Sequence, residues 1–144
     1  MSDGKPEDVE HVLARISNEL VRSQKRYWGT GPTSAKSYMF DDMLFVVMRG
    51  GLTASEQTML NFERPDVVRA MRQEYQNEMT SDLVSKIERL TGRRVLTYQS
   101  QVMFDPAVVV EMFVFDEVVS EEARAATAEG QLSEGAMGEA VDSA

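Results

Sequence analysis

The feature that most constrains the fold is a long helical periodicity in the middle of the chain. Apolar residues recur there at spacings of three and four, namely Val68, Met71, Tyr75, Met79, Leu83, Ile87 and Leu90. Pro65 suits the first turn of a helix, where its missing N–H costs nothing. Gly92 can adopt the left-handed conformation that ends one. The spacing predicts a helix over Pro65–Leu90, about 39 Å long at 1.5 Å per residue, which is longer than a small sheet needs to cover it.

The rest of the chain alternates between helical and strand patterns. A first helix is predicted over Glu7–Tyr27, and Thr53-Ala54-Ser55-Glu56 is typical of a capping box that starts a short helix ending near Phe62. Apolar runs bounded by turn residues predict four strands, over Ala35–Asp41, Met43–Arg49, Arg94–Phe104 and Val108–Phe115. This order predicts an α+β fold, with a four-stranded antiparallel sheet of two hairpins and with the helices on one face.

The last predicted strand is apolar on both faces. One face carries Val108, Val110, Met112 and Val114, and the other carries Val109, Phe113 and Phe115 together with Glu111. In a domain this small, a partner subunit is one way to bury both faces, and the long helix offers further contact surface. We therefore expect a homodimer, with an interface that includes Tyr75, Met79, Val109, Phe113 and Phe115.

Composition excludes several kinds of chemistry. The chain has no cysteine, so disulfides, thiolate catalysis and cysteine zinc sites are absent, and His11 is its one histidine. A net charge of -9 disfavours binding to nucleic acids and to anionic membranes. No apolar run approaches the roughly 20 residues that span a bilayer, and no signal-peptide pattern is present. We expect no cofactor, no metal and no membrane insertion. We also expect a cytoplasmic protein, peripheral to a membrane complex at most through a protein partner.

Most of the negative charge lies in the C-terminal segment. Residues 117–144 carry seven acidic residues against Arg124 alone, and no aromatic residue follows Phe115. Such a composition buries too little apolar surface to offset the entropy lost on ordering. We therefore expect one domain over residues 7–116, followed by an acidic, mostly disordered tail over residues 117–144.

Four charged residues are candidates for a ligand site. Asp41 and Asp42 form a carboxylate pair suited to a cation or to acid–base chemistry, or else a turn that caps backbone amides. Arg69 and Arg72 stand three apart on one helix face, where both guanidinium groups can hold an anion or a partner's carboxylate. Their alternative is an exposed charged face. No catalytic constellation accompanies either pair, so an interaction module is favoured over an enzyme.

Several short motifs follow one another in a specific order. They are Gly29-Thr30-Gly31-Pro32, Asp41-Asp42, Gly50-Gly51-Leu52-Thr53-Ala54-Ser55-Glu56, Leu90-Thr91-Gly92-Arg93 and Val114-Phe115-Asp116. Together they resemble the MpsC family of small bacterial proteins, named for a component of a sodium-translocating, membrane-potential-generating system. The resemblance implies an accessory protein encoded near sodium or bicarbonate transport machinery. The chain departs from such relatives at Gln99-Ser100-Gln101, because they often carry an acidic residue after the serine.

Two functions are compatible with these observations. The first is a non-catalytic accessory or regulatory protein, a homodimer that docks to a larger complex; the resemblance implies a sodium or bicarbonate transport complex. The alternative is a protein that binds a small ligand or anion in a cleft between helices and sheet, using Arg69, Arg72 and Asp41 or Asp42. The absence of a catalytic constellation and the two-sided apolar strand favour the first.

Overall fold

The computed structural model describes residues 6–117, which contain three helices and four strands. The helices are α1 (Pro6–Trp28), α2 (Ala54–Asn61) and α3 (Pro65–Thr91), and the strands are β1 (Ser34–Phe40), β2 (Met43–Arg49), β3 (Val95–Met103) and β4 (Val108–Phe115). All strand pairs are antiparallel, in the order β1-β2-β4-β3. The predicted α+β fold of two hairpins is confirmed. The acidic tail predicted from sequence lies, apart from Glu117, outside the described residues.

Local sequence explains where these elements begin and end. The Thr53 hydroxyl accepts from the Glu56 amide at 3.0 Å while the Glu56 carboxylate accepts from the Thr53 amide at 2.9 Å, so the predicted capping box starts α2. Gly92 ends α3 with a left-handed φ of 66°. Strand β1 stops one residue before the predicted end, because Asp41 turns the chain with a φ of 52°.

The hydrophobic core lies between the helices and one face of the sheet. It is built from Ile16 and Leu20 of α1, Leu83 and Ile87 of α3, Leu44, Val46 and Met48 of β2, and Val109, Phe113 and Phe115 of β4. Leu44 stands opposite Phe113 across the two central strands, and Val46 stands opposite Glu111. A carboxyl group therefore lies among the apolar side chains that the two central strands contribute to the core.

The opposite face of the sheet, which we call the outer face, is apolar at its centre. Its apolar members alternate with the core residues along β1, β2 and β4, and they are Tyr38, Phe40, Met43, Phe45, Val47, Val110, Met112 and Val114. The two edge strands add polar side chains to the same face, namely Lys36 of β1 and Thr97 and Gln99 of β3. None of the helices within residues 6–117 packs on this face, and the Phe40 side chain is 69% exposed. Strand β4 is thus apolar on both sides for two reasons: one side packs in the core, and the other side forms part of the outer face.

The motifs noted in the sequence meet at the two ends of the sheet. At one end, Gly51 lies against the Gly29–Pro32 loop so closely that a Cβ atom there would come within 3.3 Å of the Pro32 backbone. At the other end, Arg93 donates to the Asp42 carboxylate at 2.7 Å and to the Asp116 carbonyl at 3.1 Å. The first end also contains a buried ion pair between Arg72 and Glu56.

Candidate functional site

A buried ion pair joins three elements at the first end of the sheet. Arg72 of α3 donates to both carboxylate oxygens of Glu56 in α2, with distances of 2.6 and 2.7 Å, and to the Gly51 carbonyl at 3.3 Å. Its guanidinium also lies 4.3 Å from the centre of the Trp28 ring at the end of α1. Both charges are neutralised inside the protein, so Arg72 holds the surrounding elements together.

The electrostatics of Glu56 reflect this pairing. Burial acts to raise the pKa of its carboxyl group, but the hydrogen bonds from Arg72 and Thr53 outweigh burial and leave the pKa below its ordinary value. Glu56 is therefore ionised near neutral pH, and both of its carboxylate oxygens already accept hydrogen bonds from Arg72.

A cavity of about 180 Å³ adjoins this pair, between α3, the C-terminal half of α1 and the inner face of β3 and β4. Its polar lining comes from all four elements and includes Gln24, Arg69, Arg72, Gln73, Gln76, Tyr98, Ser100 and Glu111. Apolar side chains such as Met79 and Val109 complete the walls. A lining that combines convergent polar groups with apolar walls suits a small hydrogen-bonding molecule.

Glu111 lies at the bottom of the cavity and is 2% exposed. The Tyr98 hydroxyl donates to its Oε2 atom, and the Ser100 side chain also hydrogen-bonds the carboxyl group. Burial raises the pKa of Glu111 to about 7, although these hydrogen bonds and the charge of Arg72 act in the opposite direction. The carboxyl group therefore changes its protonation state close to neutral pH.

The structure does not bring the four predicted ligand residues together. Arg69 lies at the mouth of the cavity, exposed, with its guanidinium 4.8 Å from the centre of the Phe104 ring. Arg72 lines the cavity but is bound by Glu56. Asp41 and Asp42 form the β1–β2 turn at the opposite end of the sheet, where Asp42 pairs with Arg93. One cleft that uses all four residues is therefore not formed.

The predicted interface residues are mostly internal. Met79, Val109, Phe113 and Phe115 are buried in the core because α1 and α3 of the same chain cover them. Tyr75 stays open to solvent and stacks on Trp28, with ring centres 4.0 Å apart. The apolar surface left for a partner is the outer face.

Sequence reasoning missed the chemical importance of Glu111, Tyr98 and Glu56. Glu111 gave a signal, since it is the one acidic residue within the apolar run of β4. Glu56 was assigned only to the capping box, and nothing local indicated that Arg72 also binds it. The contribution of Tyr98 depends on the pairing of β3 with β4.

Within residues 6–117, no group of three or more histidine, aspartate or glutamate side chains is placed to hold a metal ion. In the same part of the chain, no helix has the length and apolarity to cross a membrane.

Glu111 is expected to make stability depend on pH. Its pKa is about 7 in the folded protein and 4.5 as the reference value, so the folded state holds the proton more tightly. This stabilisation is complete below the unfolded pKa and is lost as the pH rises through the folded pKa, a loss of about 3 kcal/mol at about 1.36 kcal/mol per unit. The free energy of unfolding of Glu111→Gln, measured in urea, should therefore rise by about that amount relative to the wild type as the pH increases from about 5 to about 8. An unchanging difference between the two proteins would contradict the assignment.

The fold and site together define a small α+β domain with a polar cavity on one side of its sheet and an uncovered apolar face on the other. Residues 9–117 match the model of the family described as MpsC, Na⁺-translocating membrane potential-generating system, and the chain belongs to this family.

The chain is also similar to an individual protein. The uncharacterized protein YrhF of Bacillus subtilis (strain 168) is 28% identical over 115 residues, which cover 75% of this chain and 91% of that protein. No solved structure matches the chain.

Proposed function

We propose that this protein is a non-catalytic accessory or regulatory subunit, a homodimer that docks to a larger complex. The observation that carries the proposal is the outer face, an apolar surface that no helix within residues 6–117 covers. Contiguous apolar surfaces of this kind mark protein–protein contacts in soluble proteins.

The outer face has the composition of an interaction surface. Tyr38, Phe45 and Met112 stand side by side across three strands, and Phe40, Met43 and Val114 form a second row. Aromatic and methionine side chains are enriched at interface centres, and methionine adapts to the shape of a partner. Two copies of the face stacked on each other would bury both rows, as in a β-sandwich.

Family membership supports a role in a larger assembly. The family description refers to a Na⁺-translocating system. Translocation of an ion requires a path through the bilayer, and a partner would supply it. A cytoplasmic accessory subunit, peripheral to the membrane through that partner, fits these observations.

A charge placed on the outer face is expected to dissociate the homodimer. Met112→Lys puts an ammonium group at the centre of the face without touching the core, so we expect sedimentation velocity to show monomer where the wild type is dimeric. Far-UV circular dichroism should be unchanged. Ser55→Lys, on the exposed side of α2, is the matched control and should remain dimeric. A monomeric wild type, or a dimer that survives Met112→Lys, would contradict the proposed surface.

The alternative function, binding of a small ligand, is favoured by a separate observation, the polar cavity over Glu111. Asp41 and Asp42 lie too far along the sheet to contribute. Any ligand site would instead combine Arg69 with Glu111 and its neighbours.

A further inference from the structure

The cavity over Glu111 has two ends of different chemistry. On its floor, Glu111 has a carboxyl group that accepts hydrogen bonds from Tyr98 and Ser100 and has further lone pairs free. At its mouth, Arg69 is exposed, and among residues 6–117 no carboxylate forms an ion pair with it. Arg72 adds little net charge, because Glu56 neutralises it at 2.6 Å.

The side walls between the two ends are uncharged and combine polar amide side chains with apolar ones such as Met79 and Val109. Gln24 from α1 and Gln73 and Gln76 from α3 line them. Each amide offers both donors and acceptors, so the walls can bind a polar molecule in a fixed orientation without adding charge. The lining as a whole therefore complements a ligand with one negative end, one positive end and no net charge.

The volume sets the size of such a ligand. An apolar cavity of about 150 Å³ holds a benzene molecule, and the cavity here is close to that volume at about 180 Å³. By that comparison the ligand has about six to eight non-hydrogen atoms. This size is smaller than a nucleotide and larger than a simple inorganic ion.

We propose that the cavity binds a small amino carboxylate, with the ligand's carboxylate held by Arg69 at the mouth and its ammonium group held by Glu111 on the floor. The site goes beyond the docking function and does not depend on it, because the cavity and the outer face lie on opposite sides of the sheet.

The surroundings of Glu111 make binding pH-dependent. Tyr98 and Ser100 face it from β3, Arg72 faces it from α3, Gln24 lies across the cavity on α1, and Val46 is its neighbour on β2. The pKa of Glu111 is about 7 in the empty site, and an ammonium group favours the ionised carboxylate. Binding should therefore release a proton near neutral pH and tighten as the pH rises from about 5.5 to about 8.

Isothermal titration calorimetry of the full chain tests the proposal. The probes are β-alanine, γ-aminobutyrate and serine, with butyrate and butylamine as compounds that carry only one of the two charges. We expect at least one amino carboxylate to bind at least about tenfold more tightly than either single-charge compound, which corresponds to about 1.4 kcal/mol. Titrations in two buffers of different ionisation enthalpy should show the proton release.

Three variants separate the two ends of the site. Glu111→Gln keeps the side-chain shape and should weaken the amino carboxylate by about tenfold or more while leaving butyrate unchanged. Arg69→Gln, on an exposed side chain, should weaken both carboxylates and leave butylamine unchanged. Arg64→Gln is the control, because Arg64 pairs with Asp66 on the surface outside the cavity.

Three results would overturn the proposal. They are no binding by any amino carboxylate, binding of butyrate as tight as that of the amino carboxylates, and an affinity unaffected by Glu111→Gln and Arg69→Gln. The oligomeric state of each variant, measured by sedimentation, reports on the docking function separately. Failure of one proposal is thus distinguishable from failure of the other.

Discussion

Replacement of Met79 by aspartate is expected to destabilise the protein by about 4 kcal/mol or more, from the lost core contacts and the burial of a carboxyl group. Met79 is 4% exposed and lies on the side of α3 that packs in the core. Met79 also lines the cavity that holds Glu111, so a carboxylate at this position would be largely desolvated close to a second acidic group and would be driven to take up a proton. Urea unfolding followed by circular dichroism measures the change, which is a large part of the stability of a typical domain.

Tyr75→Asp is the matched control, because Tyr75 lies one helical turn earlier on α3. It is 38% exposed and stacks on Trp28, so its replacement should cost about 1 kcal/mol, the value of an aromatic pair. The sequence alone places both residues in the same predicted interface. Equal losses, or an unaffected Met79→Asp protein, would show that this face of α3 does not pack as described.

Replacement of Arg72 by methionine is the second change with a large expected effect. It leaves the Glu56 carboxylate, itself 3% exposed, without the cation that neutralises it. Removal of one partner from a buried ion pair costs about 3–5 kcal/mol, mostly from the charge left behind. Because the pKa of Glu56 is lowered in the folded protein, the pair stabilises the fold above the unfolded pKa. That contribution is lost as the pH falls through the folded pKa.

A double-mutant cycle identifies the cause of that loss. Addition of Glu56→Gln to Arg72→Met removes the unpaired charge and should recover a substantial part of the stability. Arg64→Met, which breaks an exposed pair with Asp66, should show no measurable loss. If the double variant is as unstable as the sum of the two single variants, the ion pair does not account for the effect.

Much of the fold was predictable because its signals are local. The three-and-four spacing from Val68 to Leu90 gave α3, and alternation along Val108–Phe115 gave β4. The Thr53–Glu56 pattern predicted the capping box that the structure shows. Each signal depends on residues within a few positions of one another, where the period of side chains is set by the backbone itself.

The candidate site was less predictable because it depends on pairs distant in the chain. Arg72 and Glu56 are 16 residues apart, and Asp42 and Arg93 are 51 apart. Helical spacing placed Arg69 and Arg72 on one face correctly, yet it did not show that Glu56 would neutralise one of them. The cavity exists only because β4 pairs with β3 and carries Glu111 beneath α3.

The interface prediction shows a different limit of sequence patterns. Alternation correctly grouped Val109, Phe113 and Phe115 on one face of β4 and Val110, Met112 and Val114 on the other. It does not specify which face the helices of the same chain cover. The structure places the first group in the core and leaves the second on the outer face.

Site-specific photocrosslinking tests the central claim, self-association through the outer face, most directly. A photoreactive amino acid at position 112 is compared with one at position 55, on the exposed side of α2, in the native host, with products identified by mass spectrometry. We predict a covalent homodimer from position 112 and none from position 55, with membrane transport subunits among the remaining products. Equal crosslinking from both positions, or no homodimer from position 112, would contradict the account.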